Sequence, residues 1–250
     1  MNILDTVLGP LLTINPLLSI IIISFILSLL ITIAYKFLTN QSLMKDLRDE
    51  QNSLQKKLKE LKNHPEKAMK VQSEMMEINM KYMTHSMRPT LVTFIPIILI
   101  FGWLNANMAY YPLYPNMPFE VNAQMKDGTI GNVNLILPQG LSFAGESKER
   151  QELINNKAMW FLKGPTGEYN LTFSYNEMTV SKKILVTDIR KYYAPEENFK
   201  NSYFKQVTIG NLKVKPFDGI PLIGGWGWLG AYIIFSLIFS MGLRRLMKLY

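Results

Sequence analysis

The chain's 250 residues are enough for one or two ordinary domains, yet three runs are too long and too apolar to be core helices, which implies an integral membrane protein. A net charge of +8 comes from 27 Lys and Arg against 19 Asp and Glu; these alternate along the polar segments, so specific nucleic-acid binding is not expected. Cys is absent, which excludes disulfides, thiolate metal sites and a cysteine nucleophile.

Residues 1–16 carry no Lys or Arg and read as an outer N-terminal segment. Residues 17–38 are uncharged until Lys36 and at 1.5 Å per residue reach roughly 33 Å, enough to cross a bilayer core. The run lacks a basic start and a small-residue cleavage site, so it reads as an uncleaved span rather than a signal peptide. Lys36, Lys45 and Arg48 follow it, Lys81 and Arg88 precede the second span at 90–111, and Arg244, Arg245 and Lys248 end the third, at 226–246. Under the positive-inside rule the N-terminus lies outside and the 247–250 tail is cytoplasmic, in a multi-pass cell-membrane protein.

Between the first two spans, residues 39–89 read as a cytoplasmic coiled-coil hairpin. Met44, Leu47, Leu54, Leu58 and Leu61 recur at alternating four- and three-residue steps, with Gln51 on the same seam. Asn63 or His64 is expected to cap the next helix, Pro65 to open it and Glu66 to favour its N-terminus. On the returning helix Met69, Met76, Met80, Met83 and Met87 fall on the expected seam, with Met75 off it, until Pro89 is expected to interrupt the helix. The hairpin is then about 35 Å tall.

Residues 112–225 read as an extracytoplasmic domain, compact and mainly antiparallel β from about 118 to 218. Period-two alternation predicts strands at 132–137, 169–175, 178–187 and 204–217, and 147–156 is expected as a short helix. Asn170-Leu171-Thr172 is a glycosylation sequon. Trp226 and Trp228 suit a membrane interface.

No enzyme site is visible. His64 and His85 are the only histidines and are far apart, all three spans lack Asp and Glu, and neither a metal, a cofactor nor a proton relay is implied. The spans instead carry polar residues at helical spacing: Ser24, Ser28, Thr32 and Tyr35 in the first, Thr90 and Thr93 in the second, and Ser236, Ser240 and Arg244 in the third. Such stripes either glue helices together or line a groove. The methionines either pack the hairpin or present an adaptable apolar surface; copper binding by thioethers is a further, less favoured reading.

The basic hairpin, the Arg88-Pro89 entry into TLVTFIPIILIFGWLNANM, and the closing IPLIGGWGWLGAYIIFSLIFSMGLRRLMK together resemble the archaeal branch of the YidC/Oxa insertase superfamily. Its relatives include the insertase subunit of the endoplasmic reticulum membrane complex and the Get tail-anchor receptor. The resemblance covers residues 1–111 and 220–250. It implies an insertase, not an enzyme, that moves hydrophobic segments of nascent or tail-anchored proteins into the bilayer without ATP. Ser24, Ser28, Thr32, Thr90, Thr93, Ser236 and Ser240 would line a polar groove, and Lys36, Arg88 and Arg244 would ring its inner mouth. Met76, Met80, Met83 and Met87 would bind clients. Bacterial members place an arginine inside the first conserved span, whereas here Ser24 and Ser28 occupy that interior. The partners implied are nascent membrane proteins, the lipid bilayer, the ribosome through the basic hairpin, and additional membrane subunits. The alternative from another class is a membrane-anchored receptor or structural protein whose outer β domain binds a ligand.

Overall fold

A computed structural model describes residues 3–61 and 64–249, and of Ile3 and Arg88 the backbone alone. It divides into a helical unit, residues 17–101 with 229–250, and a second unit, residues 1–16 with 102–228.

The helical unit is built from α2 (Pro16–Leu38), α3 (Gln41–Glu60), most of α4 (Pro65–Met108) and α5 (Trp228–Leu246), while α1 (Ile3–Leu8) belongs to the second unit. Three stretches, Pro16–Leu38, Pro89–Met108 and Trp228–Leu246, are long and apolar enough to span a membrane. Along α2 one face is buried, from Ser19 and Ile20 through Ile23, Ser24, Leu27, Ser28 and Thr32 to Tyr35, the three-and-four spacing of a helix stripe. Its small residues permit close approach of α5, where Ser28 Oγ donates to the Ser236 carbonyl (3.4 Å) and Phe25 meets Phe239 edge-on at 5.3 Å. The opposite faces, including Ile22, Ile26 and Leu30 on α2 and Phe94, Ile95 and Ile98 on α4, are exposed, as a lipid-facing surface requires.

Asn40 separates α2 from α3: its side chain accepts from the Leu43 amide at 3.2 Å, a hydrogen bond that satisfies one unpaired amide of the new helix. Asn63 lies outside the described residues. The His64 carbonyl accepts from Ala68 N at 2.9 Å, and Pro65 opens α4 as expected.

Two expectations for the returning helix are corrected. Pro89 does not interrupt it: α4 runs 44 residues with Pro89 and Pro96 inside, about 66 Å. Pro89 and Pro96 each take the ladder amide from one carbonyl, that of His85 and that of Val92, a loss that helices in a membrane tolerate. Thr93 Oγ1 donates to the Pro89 carbonyl (2.9 Å) and Thr90 Oγ1 to that of Ser86 (3.0 Å). The second correction concerns the seam. Leu47, Leu54 and Ile78 form the buried cluster, with Leu43, Val71, Met75 and Tyr82 packed around it. The packed face of α4 is therefore Val71, Met75, Ile78 and Tyr82, also at four- and three-residue steps. Met75, expected off the seam, packs; Met69, Met76, Met80, Met83 and Met87 are exposed. A four-and-three rhythm cannot say which of two adjacent stripes faces the partner, and Ile78 and Val71 bury apolar area without methionine's entropy cost.

The second unit contains a β-sandwich. One sheet has the order β3 (Ser142–Phe143), β5 (Lys157–Lys163), β1 (Phe119–Met125), β9 (Phe204–Ile209), β8 (Glu196–Asn198); the other runs β4 (Arg150–Glu152), β2 (Asn132–Ile136), β6 (Gly167–Tyr175), β7 (Met178–Val186). Pairing within both sheets is antiparallel. Inward residues of both sheets make the core, in which Phe173 of one meets Trp160 and Phe204 of the other edge-on at 5.7 and 6.3 Å. Asn176, at φ 52°, makes the two-residue turn between β6 and β7, a left-handed conformation that Asn tolerates. The helix expected at 147–156 is absent; that segment instead contains the short strand β4, paired with β2. The strand expected over 204–217 stops at Ile209; the next residue, Gly210, still donates its amide to the Glu120 carbonyl at 2.8 Å and lies close enough to Glu120 that an added Cβ would press on it.

Candidate functional site

Where α4 changes from the charged hairpin to the apolar span, a cavity of about 300 Å³ opens within the helical unit, lined by Ile31, Tyr35, Tyr82, Ser86, Pro89, Thr90, Thr93 and Arg244. Tyr82, Ser86, Pro89 and Thr93 recur at four-, three- and four-residue steps, so helical periodicity alone turns them to one side. Tyr35, from the last turn of α2, is buried, and its ring carries the Arg244 guanidinium at 4.9 Å. That cation–π contact holds a charge at the cavity rim while leaving guanidinium N–H groups for another acceptor. Among the described residues the lining is thus hydroxyl-rich, with Arg244 as its cation and no carboxylate. Such a surface stabilises polar or anionic groups that hydrocarbon would not.

The structure distributes the expected groove residues over two places. Thr90, Thr93 and Arg244 line the cavity together. Ser24, Ser28 and Thr32 are buried along the α2 stripe, where Thr32 Oγ1 donates to the Ser28 carbonyl at 2.6 Å. Ser24 Oγ has no hydrogen-bond partner among the described residues. Ser236 and Ser240 are half-buried on α5, and Ser236 Oγ donates to the Ile233 carbonyl (3.0 Å). Lys36 is exposed and is not part of the cavity lining. The Arg88 side chain lies outside the described residues.

Tyr82 and Ser86 were not anticipated. They continue the Thr90 and Thr93 face one and two turns toward the hairpin, a continuity that requires α4 to run unbroken through Pro89. Outward from the cavity, the exposed row Met76, Met80, Met83 and Met87 runs along the same helix. Beside it, Lys81 pairs with Glu77 at 2.8 Å and holds that carboxyl below its usual range through the hydrogen bond and the neighbouring charge. Among the described residues no group of three His, Asp or Glu side chains is placed to hold a metal.

A family model described as integral membrane protein EMC3/TMCO1-like matches residues 5–138, more than half of the chain. This range includes the hairpin, the first two apolar spans and the first strands of the sandwich. Comparison with curated proteins finds no match, and comparison with solved structures finds none either.

Proposed function

Because the chain belongs to the EMC3/TMCO1-like family, part of the Oxa1/YidC/Alb3 insertase superfamily, we propose that it moves hydrophobic segments of nascent or tail-anchored proteins from the cytoplasm into the bilayer. The family is of the non-enzymatic, insertase type, and the step proposed here is non-covalent and needs no ATP. The observation that carries the residue-level reading is the hydroxyl-lined cavity with Arg244 at its rim, whose α4 wall belongs to the helix that also displays the methionine row.

In this reading an apolar client segment first lies along Met76, Met80, Met83 and Met87, whose unbranched thioethers repack against varied partners. Its polar flank then enters the cavity, where Thr90, Thr93, Ser86, Tyr82 and Tyr35 lower the desolvation cost, of the order of 1–3 kcal/mol per polar group. Arg244 attracts an acidic flank, with the exposed Lys36 at the end of α2 as a further cation. The apolar segment passes sideways into lipid along the exposed faces of α2 and α4. The hairpin is cytoplasmic, the N-terminus is outside, and the hairpin's Lys and Arg offer a surface to the ribosome. Ser24, Ser28, Thr32, Ser236 and Ser240 support the groove from the α2–α5 packing stripe.

Photo-crosslinkers at Met80 and Thr93, presented with stalled ribosomes carrying a single hydrophobic segment, test the path. The expected result is capture of the segment from both positions, with Met80 adducts forming earlier. Capture from neither, in a membrane where the chain is folded, would remove the reading.

A further inference from the structure

The second unit holds a larger cavity that the insertion path does not use. It measures about 550 Å³, within the usual size of ligand pockets, and its walls are the N-terminal segment and the 112–114 and 188–191 loops. Arg190 is anchored by a hydrogen bond from its guanidinium to the Ile14 carbonyl (3.3 Å), and Asp5 accepts from the Trp103 indole at 2.8 Å. Between these fixed groups stand Asp188 and Lys191, both exposed and neither with a side-chain hydrogen bond or ion pair among the described residues. Leu12 and Ile189 supply an apolar side to the same cavity.

Two cations and two carboxylates around one partly apolar cavity match a zwitterion bearing a phosphate and an amine. Its place along the chain selects the source. Thr13 stands three residues before α2 begins and Pro112 four residues after α4 ends. At no more than about 3.8 Å per residue, chain connectivity keeps these walls within about 15 Å of two span ends. A headgroup layer extends about 5–8 Å beyond each face of the hydrocarbon core, a depth inside that 15 Å limit, which makes a lipid headgroup the nearest source of such a zwitterion.

We propose that this cavity binds the headgroup of an amine-bearing zwitterionic phospholipid from the leaflet beside the β-sandwich, with phosphate on Arg190 and Lys191 and amine on Asp188 and Asp5. The glycerol and first chain carbons then lie on Leu12 and Ile189. Nothing in this assignment depends on which side of the membrane the sandwich occupies.

The test uses the full chain in detergent, titrated with phosphatidylethanolamine and followed by native mass spectrometry. A one-to-one complex is expected, weakened about tenfold in Asp188→Asn and in Lys191→Gln and unchanged in the remote control Lys200→Gln. Phosphatidylglycerol, which lacks the amine, is expected to bind about tenfold more weakly than phosphatidylethanolamine to the wild type, and free phosphoethanolamine to compete only at much higher concentration. Equal binding of phosphatidylglycerol, or no loss in either variant, would overturn the assignment, and equal competition by free phosphoethanolamine would overturn the lipid source. Circular dichroism of each variant checks that a loss is local.

Discussion

Replacing Met76, Met80, Met83 and Met87 together by Gln separates a displayed methionine row from a buried one. The four are 65, 59, 50 and 49% exposed, so together they offer about two whole methionine side chains to a partner. Full burial of one is worth about 2 kcal/mol, giving about 4 kcal/mol in all. A client that covers half of that area gains about 2 kcal/mol, about thirtyfold in affinity. Gln matches Met in helix propensity, and exposed substitutions usually shift stability by no more than about 0.5 kcal/mol each. The quadruple variant is therefore expected to keep its helicity and melting temperature within a few degrees. Its crosslinking to hydrophobic segments should fall about thirtyfold. The matching Leu variant keeps the area but loses adaptability, and is expected to retain leucine-rich clients while losing irregular ones. Collapse of the hairpin in the Gln variant, seen as rapid hydrogen exchange throughout α3, would refute the exposed row and restore these residues to the seam. Unchanged crosslinking with an intact hairpin would refute their role in capture.

Ile78→Ala removes a buried member of the hairpin cluster and should cost about 2–4 kcal/mol, read as faster hydrogen exchange in α3 with the spans unaffected. Gly210→Ala places a Cβ 3.0 Å from Glu120 Cβ and 3.1 Å from its backbone N and O; the β1–β9 pairing leaves little room to give, so a loss of about 1–3 kcal/mol in thermal unfolding is expected. Tyr192 closes the end of α4, its hydroxyl accepting from Ala109 N (2.9 Å) and donating to the Asn105 carbonyl (2.5 Å), and Tyr192→Phe should cost about 1–3 kcal/mol at neutral pH. Burial pushes the Tyr192 hydroxyl up to about 12. Because the folded value is the higher one, its stabilisation is intact below pH 10 and lost as pH rises from 10 through 12. The Phe variant should show a shallower loss of stability across that window in alkaline denaturation.

The spans were legible because about twenty apolar residues in a row have few other solutions, and the α3 seam because Leu47 and Leu54 stand alone among charges. The opposite face of the hairpin was not. Met69, Met76, Met80 and Met83 keep as good a rhythm as Val71, Met75, Ile78 and Tyr82, and only packing against Leu47 and Leu54 decides between them. Pro89 reads as a helix end because a lost amide is costly beside water, whereas α4 carries it inside the helix where the apolar span begins. In the sandwich, Met178–Val186 was recognised by β-branched alternation. Phe119–Met125 and Lys157–Lys163 are harder to read although alternate residues are buried, because small inward residues, Ala123 and Ala158, weaken the contrast that marks a strand. Of the cavity lining, Thr90, Thr93 and Arg244 stand at helical spacing in the polar stripes of the spans. Tyr82 and Ser86 needed the knowledge that α4 is one continuous helix.

Insertion by the purified chain in lipid vesicles, without ATP, tests most directly whether the cavity carries the polar flank. A reporter with one hydrophobic segment and a short acidic flank is scored by protease protection, with wild-type protein and with a Ser86→Ala, Thr90→Val, Thr93→Val variant whose fold is checked by circular dichroism. Protection is expected with the wild type and about a tenfold slower rate with the variant, as loss of about 1.4 kcal/mol of flank stabilisation implies. Equal rates for the two proteins would contradict the cavity as the route, and no protection above empty vesicles would contradict insertion by this chain.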